Sequence, residues 1–267
     1  MPKGSIALMN REHLRTAAIA LRNIALGGIV RALGRLQQPR TLLNYGVQNL
    51  FLYNSLFRSG LPARNIRDVL RHNCSEDVTL FLNCTEFWIC EIPSAAPDLI
   101  SLCLIARFLK PKRIFEIGTL NGYTTRHLAA NAPHATVYTL DLPAGAKSCL
   151  PTTIVDDSFI LAASQECFQG RPEAKRIIRV YGDSATFDFS SYAGLVDFFF
   201  IDGAHSYQYV RNDTERALSC CHAGSVIAWH DYGRTGVNGV SRYLHELARR
   251  IPVYRVPNGS LAFAVVP

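Results

Sequence analysis

Between residues 113 and 230 the chain alternates short apolar runs with mixed stretches of helical length. Ile114, Phe115 and Ile117 make one run, Val137 to Leu140 the next, and Arg176 to Tyr181 a third. Leu195 to Ile201 is apolar except for Asp197, and Ser225 to Trp229 repeats the pattern. Each run is too short for an independent helix. The fourth lacks the polar alternation of a half-exposed strand, as expected of a strand buried on both faces of a parallel sheet. A helix is expected ahead of the first strand. Pro93-Ser94 sets its start, and Leu99, Ile100, Leu102, Cys103, Ile105, Ala106 and Leu109 give it a broad apolar face. Upstream, Leu50 to Tyr53, Leu56-Phe57 and Val69-Leu70 read as helical core pieces, Gly60-Leu61-Pro62 as a turn, and the aromatic-rich stretch 81–92 as core or pocket lining. The class is α/β.

Charge divides the chain. The net charge is +7, but residues 1–72 hold eleven Lys or Arg against Glu12 and Asp68, so the remainder is slightly acidic. The basic character therefore belongs to an arm and not to the strand-bearing region. We place the boundary between a basic helical extension, 1–92, and the α/β domain, 93–267. Within the arm, Arg11, Arg15 and Arg22 oppose Leu14, Ala17, Leu21 and Ile24 on a helical wheel, and Gly27-Gly28 separates this face from a second amphipathic stretch. Three roles stay open for it: a helical cap, docking on a membrane surface or acidic partner, or targeting. Arg22 and Arg31 interrupt any membrane span. No nucleic-acid-reading motif accompanies the basic residues, so nucleic acid is not the expected partner. The eight cysteines show no metal-ligand spacing and suggest buried thiols in a cytoplasmic protein, peripheral at a membrane if the arm docks there.

The chemistry gathers at strand ends. After the first strand, Gly118 and Gly122 bracket a turn into a helix, where missing β-carbons let backbone approach a ligand. Asp141 ends the second strand, where a carboxylate can accept both hydroxyls of a ribose. A dinucleotide pyrophosphate wants two glycines one residue apart, which this turn lacks, and Glu116 would repel it. A ligand carrying an ammonium and a sulfonium suits Glu116 better. The long connection 142–175, with a helix expected near 159–168, has the excess length of lids and substrate loops. The fourth strand ends in Asp202-Gly203-Ala204-His205-Ser206-Tyr207 and the fifth in His230-Asp231-Tyr232. Ligands bind at the carboxyl ends of such strands, so Asp202, His205, His230 and Asp231 face one crevice.

Taken together, Glu116 to Tyr123, Asp141, Gly182-Asp183-Ser184 and the two strand-end runs resemble the class I S-adenosylmethionine-dependent methyltransferases, in their small-molecule O-methyltransferase branch. The resemblance spans roughly 94–266. It implies a Rossmann-like, doubly wound, seven-stranded sheet whose last strand is antiparallel, closed by the helix 240–250 and a hairpin around Pro257-Asn258-Gly259. It implies S-adenosylmethionine held by Glu116, Gly118, Thr119, Gly122, Tyr123, Asp141, Asp183, Ser184 and Asp202, with Asp183 and Ser184 at the adenine. His205, three residues after Asp202, stands where a related branch carries a catalytic lysine, and is expected as general base with Asp202 beside it. In metal-dependent relatives the same strand ends hold a divalent cation such as Mg, which here would use Asp202, His230 and Asp231. Ala204 and His230 depart from that pattern. The acceptor expected is a hydroxyl on a sugar, glycan precursor, phenol or natural product. Two alternatives stand beside it, an NAD(P)-dependent Rossmann oxidoreductase and a non-catalytic cofactor- or RNA-binding protein.

Overall fold

The computed structural model describes residues 60–72, 77–81, 95–153, 156, 166–234, 237–257 and 259–267. The readings of the arm as far as residue 59, of 82–92 and of the helix proposed from 159 lie outside them, apart from its end. Residues 167–170 are turn, not helix.

A four-residue helix α1 (Ile66–Val69) precedes the long α2 (Ala95–Leu109). Then follow β1 (Arg113–Ile117), α3 (Tyr123–Asn131), β2 (Thr136–Asp141), a 3-10 turn at Pro172–Arg176 and β3 (Ile177–Tyr181). The second half contains β4 (Val196–Ile201), α4 (Tyr207–Cys220), β5 (Cys221–Trp229), α5 (Asn238–Leu247), β6 (Tyr254–Arg255) and β7 (Ala262–Val265). The seven strands lie in the order β3-β2-β1-β4-β5-β7-β6. Strands β1 to β5 pair in parallel, and β7 runs antiparallel to both β5 and β6. This is the Rossmann-like sheet with an antiparallel closing strand that the sequence led us to expect.

Strand alternation builds two cores, one on each face. Phe198 and Phe200 join Ile114, Val137 and Val226 under Ile105 of α2 and Leu128 of α3. Phe199 and Ile201 join Phe115, Ile117, Ile227 and Trp229 under Val210 of α4 and Leu244 of α5. All four of these β4 side chains are buried, as a strand central to a parallel sheet requires. Asp197, the polar exception, sits at the opposite end from the strand-end acids, where its Oδ2 accepts the Lys112 and Arg113 amides, each at 2.8 Å.

Two bounds differ from the sequence reading. Strand β5 begins at Cys221 and not Ser225, through an irregular, exposed stretch His222–Gly224 opposite a register shift between Val196 and Phe198. Residues 60–72, placed by charge with the extension, pack on the α/β domain. Leu61 and Ile66 are buried, Ala63 bridges Arg255, and the Leu61 amide donates to the Tyr232 hydroxyl at 3.0 Å. Among the described residues no helix is long and apolar enough to cross a membrane.

Candidate functional site

The glycine turn and the end of β4 are built against each other. Gly118 has φ +98°, and a β-carbon there would run into the Asp202 carbonyl. Only glycine fits both demands. Gly122, at φ +73°, starts α3 and leaves room for the Phe168 ring, while the Cys167 amide donates to the Asn121 carbonyl at 2.8 Å. The end of the long connection thus roofs the turn.

Behind the turn, Glu116 is fully buried. Its Oε2 accepts the hydroxyls of Thr139 (2.6 Å) and Thr125, and Thr119 meets Thr139 at 2.6 Å. Its Oε1 has no hydrogen-bond partner. Burial pushes the carboxyl up to about 8, against the pull of the two threonine hydroxyls. Asp141, at the end of β2, takes the Leu120 amide (3.2 Å) and Arg179 Nη2 (3.0 Å) on one oxygen and the Leu142 amide (3.1 Å) on the other. Arg179 also holds Glu166 at 2.5 Å, tying the ribose-type carboxylate to the segment that roofs the turn. Tyr123 is turned to a different task, its hydroxyl donating to the Phe81 carbonyl at 2.5 Å.

Asp183 caps the turn after β3. Its Oδ1 accepts the Ala185 amide (2.8 Å), and its Oδ2 the Cys149 amide (2.6 Å) and the Tyr209 hydroxyl (2.8 Å). Burial would raise this carboxyl, but these donors hold it below the usual range. Ser184 is buried beside it, its carbonyl accepting from Asn212 at 3.1 Å. Among the described residues no hydrogen bond or ion pair joins Asp183 or Ser184 to the acid and histidine cluster.

That cluster closes at the ends of β4 and β5. Ser206 caps α4 by accepting the Tyr209 amide at 3.2 Å, which fixes the loop bearing His205. Asp231 adopts φ +62°, a left-handed conformation tolerated by aspartate, as the chain leaves β5. His205 Nδ1 is 2.5 Å from Asp156 Oδ1, and its Nε2 is 2.9 Å from Asp231 Oδ2, off the direction of a hydrogen bond. His230 Nδ1 lies 3.1 Å from Asp202 and 2.9 Å from Asp231, and its Nε2 lies 3.3 Å from Asp98. Arg234 Nη1 is 2.8 Å from Asp231. Burial alone would lower both histidines. The carboxylates win, raising His205 to about 10 and His230 well above 6.5. Burial would raise Asp231, but Arg234 and the two rings hold it well below the usual carboxylate range.

Two expectations change. Both nitrogens of His205 face carboxylates, so the ring rests as an imidazolium and must lose a proton before it can accept one. The expected metal set was Asp202, His230 and Asp231, yet the ligand atoms that approach within 4.8 Å of one another belong to Asp202, His205 and Asp231. His230 instead lies between carboxylates as their counter-ion. To bind a divalent ion His205 would have to give up a ring proton, and Asp231 already meets three nitrogen groups.

Sequence reading missed three residues here: Asp98, Asp156 and Arg234. Asp98, 1% exposed, sits in the first turn of α2 and accepts the Ser260 and Leu261 amides. Asp156 comes from the long connection, whose excess length was the available signal. Nothing in the local sequence marks Asp98 or Arg234.

Residues 115–232 match the family model described as a methyltransferase domain. No curated protein matches the chain. Solved structures similar to it include cofactor-bound Rv0187 from MTB, at 22% identity and TM-score 0.47 over 65% of this chain and 80% of that one. The O-methyltransferase TomG from Streptomyces achromogenes, in complex with SAM, is 24% identical with TM-score 0.47, over 68% of this chain and 85% of that one. The SAH-bound Podospora anserina methyltransferase PaMTH1 is 16% identical with TM-score 0.48, over 99% of this chain and 100% of that one.

Proposed function

We propose that this chain, which carries a methyltransferase domain over residues 115–232, moves the methyl group of S-adenosylmethionine onto a hydroxyl oxygen of a small molecule. One observation carries the reading. The Gly118 turn and the Asp202 strand end touch through backbone, so a cofactor on the turn would lie beside the acid and histidine cluster. The residues fit S-adenosylmethionine. Glu116 keeps a buried Oε1 without a partner behind the turn, a cationic ligand there would favour its ionised form, and Asp141 presents its carboxylate at the ribose position. When bound, S-adenosylmethionine supplies an electrophilic methyl on a sulfonium.

The chain's own residues then have to place an oxygen and remove its proton. Asp156 orients His205 through Nδ1. Nε2 lacks a well-aimed hydrogen bond, and an acceptor hydroxyl would complete it. With His205 near 10, about one ring in a thousand is neutral at pH 7. That proton, lost first, offsets the gain in basicity, so at pH 7 a phenol near 10 still costs about 3 units, roughly 4 kcal/mol. An alcohol near 15.7 costs about 9 units, roughly 12 kcal/mol. A phenolic hydroxyl is therefore the acceptor class the site suits best. Amine methylation is disfavoured because Asp202-Gly203-Ala204-His205 lacks the proline-rich turn that usually serves it.

Calorimetric titration of the full chain tests the cofactor. S-adenosylmethionine should bind at one site per chain, with affinity at least about tenfold lower in Asp141→Ala, the loss of a charge-assisted ribose contact. Preferential binding of a nicotinamide dinucleotide, unaffected by that substitution, would replace this reading with an oxidoreductase.

A further inference from the structure

Asp213 stands in the middle of α4, fully buried, and the proposed methyl transfer makes no use of it. Its Oδ1 accepts from Asn212 Nδ2 at 2.9 Å, and the Ser184 side chain hydrogen-bonds the same carboxyl. Asn212 Nδ2 also reaches the Ser184 carbonyl at 3.1 Å. Two consecutive residues of α4 thus hold the turn after β3 from behind. The other oxygen, Oδ2, has no hydrogen-bond partner among the described residues, and a β-carbon on Gly203 would lie 3.7 Å from it. The carboxyl is therefore wedged between the turn after β3 and the loop that follows Asp202. An ion with one bare oxygen is costly away from water, and burial pushes this carboxyl up to about 7, with Asp183 adding to the effect against Ser184 and Asn212. The contacts on Oδ1 are ones an amide oxygen accepts equally well. They call for an oxygen at that place and not for a charge.

The turn after β3 adjoins the ribose position. The Gly182 amide donates to the Asp141 carbonyl at 2.9 Å, and Tyr181 stands opposite Asp141 in the sheet. With the methyl group beside Asp202 and the ribose on Asp141, the nucleobase continues away from the reacting centre to the next strand end, that of β3. We infer that Asp213 is a positioning residue for the nucleobase end of the cofactor, holding the Ser184 turn in place against α4 and the Asp202 loop. Ser184 then gives its hydroxyl to Asp213 and its carbonyl to Asn212, and neither to the ligand. The inference rests on the methyltransferase reading for the identity of the ligand.

The test is a double-mutant cycle on the full chain, read as the Kd of S-adenosylmethionine by calorimetry, with a cooperative melt as the check on folding. Asp213→Ala should weaken binding about tenfold, and Asp213→Asn should stay within about threefold of wild type. Ser184→Ala removes the other half of the same contact, so its loss should be similar, and the double variant should bind about as the single variants do. Losses that multiply to about a hundredfold would put the serine hydroxyl on the ligand and overturn the inference. So would an Asp213→Ala or Ser184→Ala protein that binds as tightly as wild type. If Asp213→Ala shows no cooperative melt, the other two single variants decide: a tenfold loss in Asp213→Asn, or none in Ser184→Ala, overturns the inference. Wild type that binds no S-adenosylmethionine would remove the methyltransferase reading and this inference with it, whereas the variants are judged against a wild type that binds.

Discussion

His205 and Arg179 show how much of this site is set by partners that no motif names. His205 gains its basicity from Asp156 and Asp231, so its ion pairs are at full strength below the unfolded value near 6.5 and their stabilisation is lost as pH rises through about 10. If its neutral form is the base, the turnover rate climbs with pH toward that value. Asp156→Asn removes one raising charge, and the rising limb of the pH–rate profile should move down by about one to two pH units. A limb that stays in place would remove His205 from proton transfer. Arg179 belongs to the cofactor side. It joins Asp141 to Glu166, so Arg179→Met should raise the KM for S-adenosylmethionine about tenfold with little change in kcat, and Arg179→Lys should recover part of the loss. An equal fall in kcat with unchanged KM would contradict a role in holding the ribose carboxylate.

At the level of elements, α3 does more than present its first turn to a ligand. Tyr123, His127 and Asn131 stand four residues apart along one face, and the extended segment 77–81 runs across them. Asn131 exchanges two hydrogen bonds with the Thr79 backbone at 2.7 and 2.8 Å, His127 Nε2 accepts the Phe81 amide at 2.9 Å, and Arg126 lies 3.6 Å from the centre of the Phe81 ring. Since the Phe81 amide donates to Nε2, that nitrogen must be bare, and the proton sits on Nδ1 toward the Tyr123 carbonyl at 2.8 Å. Burial lowers His127, with Arg126 adding to the effect against Glu173. A histidine depressed in the folded state contributes stability that is lost as pH falls below the unfolded value of about 6.5. Hydrogen exchange at the Phe81 amide should therefore quicken as pH falls through 6, once the intrinsic rate is divided out, and His127→Ala should abolish that dependence. A flat protection factor in wild type would show that the ring does not hold the segment. This ladder was not legible in the sequence, because Tyr123 in a glycine-turn motif reads as a cofactor contact and the spacing of four matters only once a second segment is known to cross it.

For the whole molecule, legibility followed the range of the forces involved. Local periodicity foretold the strands because β4, bearing Phe198, Phe199 and Phe200, can be buried on both faces only at the centre of a parallel sheet. Topology then carried Asp202, His205, His230 and Asp231 to neighbouring strand ends, as the sequence led us to expect. What stayed hidden was the balance of charge among them. Asp98 and Asp156 arrive from α2 and from the long connection, and a histidine's protonation state depends on whichever acids arrive. Hence His205 stands among carboxylates that raise it and not as a free base, and His230 lies outside the Asp202, His205 and Asp231 group whose ligand atoms come together.

The central claim, methyl transfer to oxygen, is tested most directly with S-adenosylmethionine carrying a carbon-labelled methyl. The full chain is incubated in chelator with a panel of catechols, flavonoids and sugars, and the product methyl is read by two-dimensional NMR. The account predicts a new O-methyl resonance on a phenolic member of the panel, lost in Asp202→Ala. An N-methyl product, or S-adenosylmethionine that binds and transfers to no hydroxyl in the panel, would contradict it.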